Sequence, residues 1–256
     1  LNYIVEAQDC VQVRKGYPDA KEMTLSFWAK ASLGGSGNTY VIEIRDETNT
    51  RHCNFQYQFA ASGEWEYFTF VIPADKIGIV PNNNAMGISL KWWLSAGTNY
   101  NSGSIQNTWA AEVDANRAAG LNVPFITTLN ATYEMTGVQL ELGNRATPFE
   151  YKKVSEELIN CQRYYFAVNM GTDADQAFAG MGYARDTTSG RSYYQLPVAM
   201  RDTPTILMRG TGFDTIFNAG SSNTPSLSSS LDETATGFGI NYDITGSNYT
   251  DVGEVA

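Results

Sequence analysis

The chain has 256 residues, enough for one large β-domain or two of ordinary size, each with a sizeable core. Charged residues make up only 17%, and 17 Lys and Arg stand against 27 Asp and Glu, a net charge of −10. That balance argues against non-specific nucleic-acid binding, which needs cations to neutralise phosphates, and no uninterrupted apolar run is long enough to span a bilayer.

Leu1 to Glu6 already reads as a strand, so we expect residues upstream of Leu1, with no basic-then-apolar leader at this start. Residues 23–30 alternate, with Leu25, Phe27 and Ala29 on one face. Residues 40–45, 65–72, 85–94 and 133–142 repeat the pattern, separated by Gly-, Asn- and Pro-rich breaks at 34–38, 61–63, 81–84 and 98–103. Period-two patterning between such breaks predicts a sandwich of antiparallel sheets. Residues 110–121 are Ala-rich but lack a clean apolar stripe, which predicts a loop crossing the sandwich edge.

Pro148 ends the last strand. Ser155 is a suitable N-cap, and Glu156 and Glu157 suit the first turn of a helix. Leu158, Cys161, Gln162 and Tyr165 then share one side, predicting a buried connector helix. Strand-like runs resume at 176–183, 192–198, 205–209, 213–217, 237–242 and 249–255, and the Ser-rich 221–230 reads as a loop or irregular edge strand. The expected organisation is all-β: a domain over 1–152, a connector over 153–166 and a smaller antiparallel β-domain over 167–256.

Candidate chemistry is sparse. His52 is the only histidine, and its neighbour Cys53 would point to the opposite face of an extended chain, so the two make a poor relay. We read Arg51 to Cys53 as a polar loop or strand end with a solvated or hydrogen-bonded histidine. Glu64 with Glu66, and Asp173 with Asp175, have the spacing of carboxylates on a solvated face, and no catalytic residue is assigned. Cys10, Cys53 and Cys161 lack metal-type spacing and read as free, buried thiols. Among the aromatics, Phe27, Trp65, Phe68, Phe70 and Phe149 read as core. Trp93, Tyr100 and Trp109 flank an Asn-, Ser- and Gly-rich loop and are the candidate ligand-binding residues, with a locked sandwich edge or subunit interface as the alternative. Tyr183, Tyr193, Tyr194, Tyr242 and Tyr249 are similarly placed in the second domain.

The run GVQLELGNRATPFE (137–150), followed by SEELINCQRYYF (155–166), resembles the junction in bacteriophage tail-fibre and receptor-binding proteins where a carbohydrate-binding-module-like jelly roll meets a helix. TLSFWAKAS (24–32), GEWEYFTFVIP (63–73), LSAGTNY (94–100) with Trp109, and LPVAMRDTPT (196–205) are similar to further segments of the same proteins, and YTDVGEVA (249–256) is a looser match. The resemblance implies a jelly-roll β-sandwich, a virion location in a tail fibre, a homotrimer beside other virion proteins, and adhesion to a host-surface glycan without catalysis or membrane insertion. It implies no cofactor, although a structural calcium ion is compatible with such modules; Asp9, Asp46, Glu141, Asp173 and Asp175 offer oxygen ligands but no calcium-loop spacing, so no metal ligand is assigned. The rival expectations are a purely structural capsid or baseplate decoration, and a polysaccharide-binding module of a larger enzyme.

Overall fold

The computed structural model describes residues 1–35, 37–167, 182–184, 189–205, 215–216, 222–223 and 226–243. The chain divides into two compact units, Leu1–Tyr151 and Lys152–Ala256.

The first unit carries β1 (Asn2–Glu6), β2 (Met23–Ala31), β3 (Tyr40–Asp46), β4 (Arg51–Tyr57), β5 (Glu66–Ile72), β6 (Met86–Trp93), α1 (Thr98–Asn101), β7 (Ala110–Ala111) and β8 (Tyr133–Leu142). A five-stranded sheet runs β1-β6-β3-β4-β7 and a three-stranded sheet runs β5-β2-β8, every pairing antiparallel. Alternation decides the packing. Leu25, Phe27 and Ala29 of β2 are fully buried and meet Ile42, Ile44, Cys53, Leu90 and Trp92 of the larger sheet. Phe27 sits edge-on to Trp92, with ring centroids 5.5 Å apart, and to Tyr57 at 5.9 Å. Such edge-to-face pairs add to what burial of the rings already contributes. The unit is therefore an all-β sandwich.

β4 corrects an expectation. Of the two readings of Arg51 to Cys53, loop or strand end, the second applies, but the strand end is not a solvated one: His52 and Asn54 are fully buried. The reason is a covering segment. Residues between β6 and β8 pass the β4 edge, where the Asn54 amide donates to Gln106 O at 2.6 Å. They then fold over the outer face of the larger sheet, where Asn54 Nδ2 donates to Asn116 O (2.6 Å) and Gln56 Nε2 to Ala119 O (3.0 Å). A polar outer face thus reads as a solvated surface in sequence but lies beneath backbone carbonyls in the fold.

The second unit opens with α2 (Val154–Gln162). β9 (Gly182–Ala184), β10 (Ser189–Gln195), β13 (Ser226–Thr234) and β14 (Gly237–Asp243) form an antiparallel sheet in the order β13-β14-β10-β9, and β11 (Thr215–Ile216) pairs with β12 (Ser222–Asn223). The Ser-rich run enters edge strand β13, whose register shifts between Leu227 and Leu231. α2 departs from expectation twice: Lys153, not Ser155, holds the cap position, and no residue of the helix is buried. The apolar side seen in the sequence finds no cover among the described residues, and Cys161 is exposed too. The expected strands at 249–255 and most of 205–209 lie outside the described residues.

Candidate functional site

The structure does not gather Trp93, Tyr100 and Trp109 into one site. Trp93 ends β6 on the outer face of the larger sheet, and its ring lies 5.5 Å from that of Tyr100, which α1 carries. Trp93 Nε1 donates to Glu43 Oε2 at 3.0 Å, and the Arg117 guanidinium stands 5.5 Å from the Trp93 ring and 5.6 Å from the Tyr100 ring. Trp109 has neither as a ring partner. It faces the Lys15 ammonium at 5.1 Å and donates from Nε1 to Pro73 O at 2.7 Å. Both indole N–H groups are spent inside the domain.

Beneath Trp93 lies a buried polar network. Glu43 is fully buried and accepts from Arg117 Nε at 2.9 Å as well as from Trp93. Burial pushes its carboxyl pKa upward, but the neighbouring His52, Arg117 and Trp93 together outweigh burial and hold it below the usual carboxylate value. His52 Nδ1 lies 3.4 Å from Glu43 Oε1, and neither ring nitrogen has a hydrogen-bond partner among the described residues. His52 is thus not solvated, because the covering segment closes over it, and Glu43 is the polar group beside its ring. Cys53 points the other way, into the core. Burial drives its thiol pKa well up and that of Cys10 to about 11, so neither is poised as a thiolate.

At one end of the sandwich Lys15 is buried between Asp46 (2.5 Å) and Asp75 (3.0 Å), and Arg51 forks onto Asp75 at 2.8 and 3.1 Å. Asp46 also accepts from the amides of Thr48 and Asn49 and from Asn49 Nδ2. This donor-saturated carboxylate, already facing an ammonium, does not fit a calcium ligand. Glu141 is engaged as well, by Thr147 and Gln139. Among the described residues no cluster of three or more His, Cys, Asp or Glu side chains has the arrangement of a metal site. Asp173 and Asp175 lie outside the described residues.

An open aromatic recess lies on the other sheet. The outer face of β5-β2-β8 carries a recess of about 190 Å³ lined by Ser26, Trp28, Tyr67, Gly137, Thr147, Pro148 and Phe149. Trp28 is 45% exposed, Tyr67 45% and Phe149 41%, with 5.3 Å between the Trp28 and Tyr67 ring centroids. Local sequence builds it in two ways. Gly137, at φ +60°, makes the bulge where β8 slips register against β2. Residues 144–151 then turn back over the sheet, held where Thr147 N and Oγ1 donate to Glu141 at 2.8 and 2.7 Å and Glu150 N donates to Gln139 Oε1 at 2.9 Å. Those bonds outweigh the upward push of partial burial and lower the Glu141 pKa. Phe149 becomes one wall.

Family models, curated proteins and solved structures were all compared with this chain, and none matches. The geometry stands on its own. Trp28, Tyr67 and Phe149 are residues that sequence reasoning missed, and Phe149 and Trp65, expected in the core, are both exposed. The available signal was parity: in β2, Trp28 falls on the opposite face from Leu25, Phe27 and Ala29.

Proposed function

We propose that the protein is an adhesive module of a virion fibre that binds a host-surface glycan without breaking bonds, its first unit being a jelly-roll sandwich of the carbohydrate-binding kind. The observation that carries this reading is the recess itself: three large rings left half-exposed around one concave site. Exposed aromatics grouped around a cavity mark binding surfaces. Supporting it, the principal buried ionisable groups, Glu43, Lys15, Asp46 and Asp75, are held in ion pairs under cover, where they stabilise the fold.

The proposal includes assembly as a homotrimer beside other virion proteins. In its favour, Val154, Leu158 and Ile159 are exposed on a helix that has no buried residue. Trimer formation would combine weak single sites into avid attachment. The test is adhesion of the full chain to a panel of bacterial surface polysaccharides, comparing wild type with Trp28→Ala and Tyr67→Ala. Loss of adhesion with an unchanged unfolding midpoint is expected; full retention in both variants would remove the recess from the account.

A further inference from the structure

We infer that the recess takes one uncharged sugar ring, its C–H face laid on Trp28 and one of its hydroxyls bonded to Ser26. The inference rests on the adhesive reading and names its ligand class.

Size comes first. A recess of about 190 Å³ is smaller than the roughly 300–1,000 Å³ of sites for drug-sized ligands, and suits a single ring. Chemistry comes second. Ser26 is only 2% exposed as a residue, yet it lines the recess and brings a hydroxyl to it. Trp28 and Tyr67, both half-exposed at the rim, add an indole N–H and a phenol hydroxyl. The Thr147 hydroxyl, by contrast, is spent: it donates to Glu141 Oε2 and accepts from Gln139 Nε2 at 3.1 Å. A hydrocarbon ligand that displaced solvent from the Ser26 hydroxyl would leave it without a partner, which is unfavourable. A pyranose satisfies it while presenting an apolar face to the rings.

Charge comes third. None of the lining residues is an acid or a base, Tyr67 being a phenol. Lys30, on the same sheet face, is paired with Glu134 at 2.9 Å and lies 5.2 Å from the Trp65 ring. The carboxylate of Glu141 is occupied by Thr147 and Gln139. With a chain charge of −10, an acidic sugar meets neither a local cation nor a favourable field.

The experiment is ligand-observed NMR on the full chain with the methyl glycosides of glucose, galactose, mannose, N-acetylglucosamine, glucuronic acid and glucosamine, and with an octaproline peptide. We expect binding confined to uncharged glycosides, lost on Trp28→Ala, and weakened about tenfold on Ser26→Ala without a change in unfolding midpoint. Polysaccharide adhesion of the same variants separates the two levels. Preferential binding of the glucuronide or the glucosaminide, or of the peptide, overturns the inference. So does unchanged affinity in Ser26→Ala, or silence of every uncharged glycoside while adhesion still depends on Trp28. Adhesion that survives Trp28→Ala and Tyr67→Ala together removes the recess from the account, and a wild-type chain that adheres to no polysaccharide of the panel overturns the adhesive reading itself.

Discussion

Replacing Lys15 by Met tests whether the buried ion cluster holds the sandwich end together. The Lys15 side chain is 1% exposed, and its ammonium contacts Asp46 and Asp75 and donates to Ile77 O at 2.9 Å and Gly78 O at 3.1 Å. Methionine keeps the apolar stem and removes the charge. Breaking a buried pair from one side destabilises by about 3–5 kcal/mol, because the remaining charge stays buried. Asp75 keeps Arg51 and the Ile77 amide, and Asp46 keeps three donors, which places the loss at the lower end, about 3 kcal/mol. All five tryptophans lie in the first unit, so urea unfolding followed by tryptophan fluorescence reports on that unit. At about 2 kcal/mol per molar the midpoint should fall by about 1.5 M. The pH dependence has a definite sign. Burial raises the Asp75 pKa, but Arg51 and Lys15 outweigh it and bring the folded value below the ordinary one. Its stabilisation is therefore present above the unfolded pKa of about 3.9 and lost as pH falls through the folded value. The deficit of Lys15→Met should accordingly be largest near neutrality and shrink below about pH 4. A variant within about 0.5 kcal/mol of wild type at pH 7, or a deficit that grows on acidification, would refute this account; Lys21→Met, at an exposed position, is the control.

Arg117→Met should leave Glu43 with Trp93 as its main donor, lower stability by about 3 kcal/mol, and speed hydrogen exchange of the Asn54 amide as the covering segment lifts. Gly137→Ala forces a side chain into a left-handed conformation and should cost about 1–2 kcal/mol in urea unfolding. The added Cβ would make only ordinary contacts with Trp28 and Phe149, at 3.6 and 3.8 Å, so any loss of binding would come through the backbone. Glu141→Gln should weaken adhesion by loosening residues 144–151, and should abolish an acid-induced loss that wild type shows as pH falls through the lowered Glu141 pKa. Val154→Ser with Leu158→Ser should convert a trimer to a monomer in sedimentation; an unchanged sedimentation profile would count against the helix as the contact.

Period-two patterning located most of the first unit: residues 23–30 and 133–142 become β2 and β8 with nearly the expected bounds. β4 escaped notice because its outward residues, His52, Asn54 and Gln56, look solvated, while a segment from 50 to 65 residues further along the chain supplies their partners. The candidate site was missed for a related reason. Trp93 and Trp109 resembled loop-flanking recognition residues, yet each spends its indole N–H inside the domain.

The linear order of side chains was enough to specify an antiparallel all-β sandwich and the inward faces of its strands, since alternation is a local property of extended backbone. Which outward face is covered and which stays open was settled only in three dimensions. One crossing segment seals the larger sheet, and a short return held by Glu141 and Gln139 raises Phe149 beside Trp28 and Tyr67. Burial of a given side chain depends on chain that arrives from far away, and periodicity carries no information about that.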